Sequence, residues 1–311
     1  MRQPASLVEI IAGLRDELAA GATLVTRQVL DPDHGRGRHA GERVELGGRA
    51  YIHRPFRVWV DLAERLRLRL LTPRRVDDVL IELRFERLAT EPPWPATTAT
   101  SADVTEKYGA ESGFARISKL EDPGFVLDFA DALARTRISA APRILDLGVN
   151  TGDELALILA LRPALRDRRD VFVAIDHSAS ALAVARGRFP AGVARFIEAD
   201  LSALPALDLG RFDLVLSIGT LHSPGLDDRA LLRHVVQHLL APGGSVIVGF
   251  PNCRYLDGEI EFGTRMKNFR EPELGLLVKD VAFYRKYLQQ HDRQVHVTGK
   301  HYILVTGVPI A

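Results

Sequence analysis

Cysteine is nearly missing from this sequence. The single thiol in 311 residues, Cys253, has no partner for an internal disulfide and cannot build a zinc knuckle, which excludes a disulfide-stapled scaffold. Net charge is missing too: 41 lysines and arginines face 40 aspartates and glutamates, so any surface for a polyanion has to be local. No window reaches the roughly 18 uninterrupted apolar residues of a membrane span. Glu9, Arg15 and Asp16 interrupt the apolar stretch that a signal peptide needs, so none is expected. Repeats at solenoid periods are absent. What is there is 46% hydrophobic and 26% charged, an ordinary globular balance. At roughly 150 residues per domain the length predicts about two domains, in a cytoplasmic protein.

Along the chain, Ser6 and Glu9 form an S-x-x-E capping box ahead of Leu7, Ile10, Ile11, Leu14 and Leu18, which predicts a helix that Gly21 stops. Arg43–Leu46 and Arg49–Ile52 flank Gly47-Gly48 and predict a hairpin. Pro55 suits the first turn of a helix running to about Leu70. A strand follows over Val79–Leu88, where apolar and polar residues alternate. Residues 1–90 are therefore expected to form a small α+β domain, and the Pro/Thr-rich residues 91–103 a linker. From residue 104 to 311 short apolar runs at Arg143–Leu147, Val171–Ile175, Arg195–Ile197, Leu214–Ser217 and Ser245–Phe250 alternate with helical segments. That pattern predicts an α/β domain, doubly wound on a mainly parallel sheet. Gln294–Val297 and Tyr302–Thr306 lie too close together for a crossover helix, so the sheet is expected to end in an antiparallel hairpin.

The chemistry concentrates at Asp146-Leu-Gly148-Val-Asn150-Thr-Gly152-Asp153, a buried strand entering a glycine turn and then a helix. Glycine lets the backbone approach a ligand, and the helix start offers free N–H groups. A dinucleotide fingerprint has a third small residue where Asp153 stands. Asp146 and Asp153 would repel a pyrophosphate and favour a ligand carrying an ammonium or sulfonium, which argues against a nicotinamide oxidoreductase. Asp176 ends the next strand, placed to accept from both ribose hydroxyls, and Asp200 follows the third.

With these residues in order, the sequence resembles the class I S-adenosylmethionine-dependent methyltransferases over about residues 104–311. Asp146–Gly152 looks like the family's first motif with Asn for the middle Gly, Asp213–Gly219 like the fourth, and Leu240–Val248 like the turn and strand after it. The resemblance implies a seven-stranded Rossmann-like fold and S-adenosyl-L-methionine as methyl donor. It implies a cofactor-binding set of Asp146, Gly148, Asn150, Gly152, Asp176, His177, Asp200, Leu201, Ser217 and Gly219. Within that set Asp146 and Gly148 would meet the methionine amino end, Asp176 the ribose, and Asp200 with Leu201 the adenine. No N-P-P-Y or similar tetrapeptide follows Ser217, so no motif names the acceptor.

His222 lies just beyond the fourth strand of this domain, where a neutral imidazole could take a proton from an attacking hydroxyl or amine; a loop-fixing hydrogen bond is the plain alternative. Tyr255 and Glu259 are further candidate catalytic groups. The polar loop 251–261 offers Asn252 and Arg254 to an acceptor, and Tyr108 and Arg116 belong to a segment expected over the cofactor. His234 and His238 have ligand spacing on one helix face, but without a third ligand a solvated surface is the simpler reading, and no metal is expected. Cys253 is expected to be a packed small residue. Residues 36–75 carry eleven arginines against four carboxylates, with Tyr51, Phe56 and Trp59 interleaved. That region allows RNA (tRNA) as acceptor, although a solvated arginine face is preferred.

The expected function is methyl transfer to O or N of a small molecule. Methylation of RNA through the arginine-rich domain, or cofactor sensing without catalysis, are the alternatives. The small domain, through Arg54, Arg57 and Trp59, is expected to help hold the acceptor, and it could also serve a homodimer contact.

Overall fold

The structure is a computed structural model and describes residues 5–89, 106, 108–221, 223, 225–263 and 274–310. The expected linker 91–103 and His222 lie outside the described residues. The chain divides into two compact units, one of residues 1–91 with 255–261, the other of residues 92–254 with 262–311.

The first unit begins with helix α1 (Leu7–Ala19), closed at its start by the reciprocal bonds of Ser6 and Glu9. Strand β1 (Leu24–Leu30), which the sequence reading missed, follows; then come the hairpin β2 (Arg43–Leu46) and β3 (Arg49–Ile52), in the expected register. Helix α2 (Phe56–Leu66) stops four residues before the expected end. Arg67 takes a left-handed conformation, φ 56°, and its N–H bonds back to Ala63 and Glu64, after which strand β4 (Leu68–Arg75) begins. The physical reason is visible in Arg65-Leu-Arg-Leu-Arg-Leu70, whose period is two and not 3.6. Strand β5 (Leu80–Arg87) completes an antiparallel sheet of order β1-β5-β4. Leu14 of α1 and Trp59 of α2 pack with Val25, Leu83 and Phe85 into its core.

The second unit starts its regular structure with helix α3 (Pro123–Thr136), capped by the Asp122 side chain. Then come β6 (Ile144–Leu147), α4 (Asp153–Leu161), β7 (Phe172–Asp176), α5 (Ala179–Arg188), β8 (Ala194–Glu198), β9 (Phe212–Ile218), α6 (Asp228–His234) and β10 (Leu240–Pro251). A short two-stranded sheet, β11 (Cys253–Leu256) with β12 (Glu259–Phe262), precedes α7 (Leu274–Gln290), β13 (Arg293–Thr298) and β14 (Tyr302–Pro309). The large sheet has the order β13-β14-β10-β9-β6-β7-β8, parallel except that β14 runs antiparallel to both neighbours. All four residues of β6 and all five of β7 are buried, as strands covered on both faces require. Leu231 and Leu232 of α6 and Tyr284 and Leu288 of α7 join Leu145, Val173, Val215 and Val305 of the sheet in one core.

This order places the site. The chain winds outward from β6 through β7 to β8, then returns to the other side of β6 with β9. A crevice opens where the order reverses, above the carboxyl ends of β6 and β9.

Candidate functional site

The glycine turn leaves β6 at that crevice. Gly148 and Gly152 have φ of 81° and 89°, and a Cβ on Gly148 would stand 2.1 Å from the Thr220 hydroxyl. Asn150, φ 47°, takes the left-handed conformation that Asn tolerates best after Gly, which explains why it replaces glycine in the middle of the motif. Its backbone N–H donates to Asp176 Oδ2 at 2.8 Å, its side-chain amide donates to the Tyr108 carbonyl at 2.7 Å, and its Oδ1 accepts from Thr151 N–H at 2.9 Å. Asp176 Oδ1 accepts from Ser178 N–H at 2.9 Å. Both carboxylate oxygens of Asp176 are thus oriented by backbone and keep lone pairs for a further donor.

Asp146 is different. It is 1% exposed, and neither carboxylate oxygen has a hydrogen-bond partner. Burial first, then Glu154, push its pKa well above the usual carboxylate range; Lys119 pulls it back and Asp176 adds a smaller push. Glu154, in the first turn of α4 and also 1% exposed, bonds the Lys119 ammonium with Oε1 and leaves Oε2 unpartnered. Asp153 does not join this set. It pairs with Arg188 at 2.8 Å, as Glu154 pairs with Lys119, so of the acids at the turn Asp146 is the one whose two oxygens both lack a partner.

The other expected cofactor residues line the same edge. Asp200 Oδ1 accepts from Ser202 N–H at 2.7 Å, and the Ser202 bonds hold its carboxyl below the usual range. Leu201 is buried and His177 exposed. Ser217 Oγ donates to the Leu147 carbonyl at 3.3 Å, and Gly219 N–H to Gly249 at 2.8 Å. A cleft beside the glycine turn is lined by Ile117, Lys119, Val149, Asn150, Thr151 and Tyr302.

Sequence reasoning missed the anchors of the segment before α3. The Glu106 carboxylate accepts from Ser178 Oγ at 3.0 Å, from Ser180 N–H at 3.3 Å and from the Ser180 hydroxyl; these bonds hold it below the usual carboxylate range. Together with Tyr108 and Lys119 it ties residues 106 and 108–121 to the starts of α4 and α5. Lys119 had a sequence signal, an isolated cation ahead of the helix, but its partner Glu154 lies 35 residues on. Arg116 is exposed.

Of the expected acceptor and catalytic residues, Asn252 is 1% exposed, at the end of β10, and Arg254 is partly buried. Tyr255 and Glu259 belong to the first unit, where the glycine turn is not. There Arg69 bonds Glu86 at 2.7 Å, Asp257 at 3.1 Å and Glu259 at 3.1 Å, and Arg67 bonds Glu261 at 3.1 Å. Glu259 is an ion-pair partner in this structure. Cys253 is buried, which pushes its thiol up to about 12. His234 and His238 lie ring to ring at 5.0 Å.

Residues 144–244 match the family model described as a methyltransferase domain. The trans-aconitate 2-methyltransferase of Paracidovorax citrulli is 32% identical over 124 residues, 40% of this chain and 44% of that protein. The protein of the same name from Methylobacterium nodulans is 33% identical over 149 residues, 44% and 52% of the two chains. The chain thus spans about half the length of the curated relatives it matches. A solved S-adenosylmethionine-dependent methyltransferase from Mesorhizobium loti is 22% identical and superposes with a TM-score of 0.39, over 57% of this chain and 96% of that one. The sheet order, the glycine turn and the matched segment define a methyltransferase domain. The match is to residues 144–244, and they lie in a mainly parallel sheet closed by one antiparallel strand.

Proposed function

We propose that this protein transfers the methyl group of S-adenosylmethionine to a small-molecule acceptor. The observation that carries the reading is Asp146, a buried carboxylate with no bond to either oxygen, beside a Glu154 that is only half satisfied. A buried pair of acids sharing one lysine is a site lacking positive charge, and a ligand that brings an ammonium and a sulfonium fits it. Asp176, with lone pairs left over, fits the ribose hydroxyls, and Asp200 with Leu201 the adenine.

When bound, S-adenosylmethionine supplies an electrophilic methyl on a sulfonium. The chain's own work is to fix the donor by these carboxylates, to keep residues 108–121 fastened over it, and to hold an acceptor in line while excluding water. The small-molecule acceptor is supported by the two relatives, whose names state trans-aconitate.

Calorimetry with S-adenosylhomocysteine tests the donor site, and transfer of methyl label from S-adenosylmethionine into fractionated small molecules, RNA and protein tests the reaction. Binding together with label in the small-molecule fraction is expected. No binding by the wild-type chain sinks the reading, and label in RNA alone replaces the acceptor class.

A further inference from the structure

A second set of unpartnered polar atoms stands at the same sheet edge, on the far side of β9 from the glycine turn. Because β14 is antiparallel, its first residues meet the last residues of β10: Pro251 is opposite Tyr302. Just beyond that pair, Asn252 N–H donates to the His301 carbonyl at 2.7 Å, and the Asn252 amide donates to the Lys300 carbonyl at 2.9 Å. The His301 ring points to the head of α3, where Nδ1 lies 3.2 Å from Asp122 Oδ2. Asp122 Oδ1 is fixed by Gly124 N–H at 2.9 Å, so the carboxylate that faces the ring is itself held by the helix it caps.

These bonds decide which atoms are left. A carboxylate only accepts, so Nδ1 carries a proton, and in the neutral ring Nε2 is then a bare lone pair. The Asn252 amide uses its NH2 end, so its Oδ1 is a bare acceptor as well. Neither His301 Nε2 nor Asn252 Oδ1 has a hydrogen-bond partner, although both atoms are out of reach of solvent and Asn252 is 1% exposed. Two buried acceptors without donors are costly unless a ligand brings the donors.

We propose that His301 is the proton acceptor of the methyl transfer, with Asp122 as its positioning residue and Asn252 Oδ1 receiving a second hydrogen of the acceptor. The inference rests on the methyl-transfer reading and gives it an acceptor class: an alcohol or amine that arrives with its proton. As the acceptor's lone pair forms the bond to the methyl carbon, the electron pair of the breaking carbon–sulfur bond stays on sulfur. The acceptor's proton passes to Nε2; the imidazolium is stabilised by Asp122 and later returns the proton to water. A carboxylate has no proton to give and would add negative charge beside Asp122, which separates this chain from the trans-aconitate in its relatives' names. Among the described residues, Asp122 at the head of α3 faces the ring, Lys300 and Tyr302 flank it in the sequence, and Cys253 is near enough to feel Asp122. Burial pushes the Cys253 thiol up to about 12, so it stays neutral through the working range.

The test uses the full chain. His301→Asn keeps a donor toward Asp122 and removes Nε2. Methyl-labelled S-adenosylmethionine is supplied with a small-molecule cell extract and, separately, with trans-aconitate. The expected product holds its label through alkali, as ethers and N-methyl groups do. His301→Asn is expected to lower transfer about 100-fold while S-adenosylhomocysteine affinity stays within about twofold. Asp122→Asn, which loosens the hold on the ring, is expected to lower transfer less than His301→Asn does. Alkali-labile methyl ester as the product, or wild-type transfer by His301→Asn, overturns the proposal. Nitrogen NMR of the histidine ring needs no acceptor: in the neutral ring the proton is expected on Nδ1, and the tautomer with the proton on Nε2 overturns the proposal. Absent S-adenosylhomocysteine binding strikes the methyl-transfer reading instead, and the ring's tautomer still decides this one.

Discussion

The backbone N–H of Asn150 donates to Asp176 Oδ2 at 2.8 Å, so the glycine turn after one strand is held in shape by the acid that ends the next. Removing the acid therefore does two things: it deletes the contact proposed for the ribose and leaves the left-handed loop without its anchor. Asp176→Ala is expected to weaken S-adenosylhomocysteine binding by about 100-fold, which is about 2.7 kcal/mol. Asp176→Asn, which can still accept one N–H, is expected to lose less. Calorimetry on the two variants gives the ordering, and equal losses would show that the loop does not depend on the acid.

Asp146 is expected to trade stability for binding. Its folded pKa is raised, so the folded state holds this proton more tightly than the unfolded chain. Its ionisation thus costs stability as pH climbs from the ordinary carboxylate range to the raised value, and below that window the cost vanishes. Asp146→Asn is expected to raise the melting temperature by a few degrees at neutral pH and by nothing at strongly acidic pH. It is expected to weaken a donor that brings a cation. Melting curves with and without S-adenosylhomocysteine would reveal both signs.

A bound cation also lowers the pKa of Asp146. Binding then releases a proton, and affinity rises with pH up to the raised pKa of the free site. Calorimetry in two buffers of different ionisation enthalpy measures the released proton, and a buffer-independent heat would refute the linkage.

Among the described residues the Glu154 carboxylate, 1% exposed, has one hydrogen-bond partner, the Lys119 ammonium. Lys119→Met strands that charge and is expected to cost about 3 kcal/mol of stability. Lys119→Met combined with Glu154→Gln is expected to recover much of it. A double variant no more stable than the single one would show that packing of the lysine stem, not its charge, matters.

In the first unit, Arg69 gathers Glu86, Asp257 and Glu259. Arg69→Met is expected to speed amide hydrogen exchange at residues 255–261 and along β4, with little change in β6 or β7. Unchanged exchange at 255–261 would mean the backbone holds that segment unaided.

What the sequence made legible was what local pattern determines. The glycine turn, the acids at strand ends and the final hairpin could be read because each sits within a few residues of the strand that defines it. The end of α2 was overrun because Leu66–Leu70 is apolar, and only its period of two reveals a strand. The Asp122–His301 pair was invisible because 179 residues separate its members, and nothing local marks a histidine beside a hairpin turn. Asp153 misled for the opposite reason: its charge was plain, and its partner Arg188 was not.

The seven residues that Tyr255–Glu261 contribute to the first unit give it a timetable. Arg67 and Arg69 leave the ribosome early, yet three of their carboxylates, Asp257, Glu259 and Glu261, are made only after nearly all of the large sheet's parallel strands. At about 5–20 residues per second that is a delay on the order of ten to forty seconds. The first unit is thus completed late, and a slowdown anywhere in between prolongs the time in which Arg67 lacks Glu261 and Arg69 has Glu86 but neither Asp257 nor Glu259.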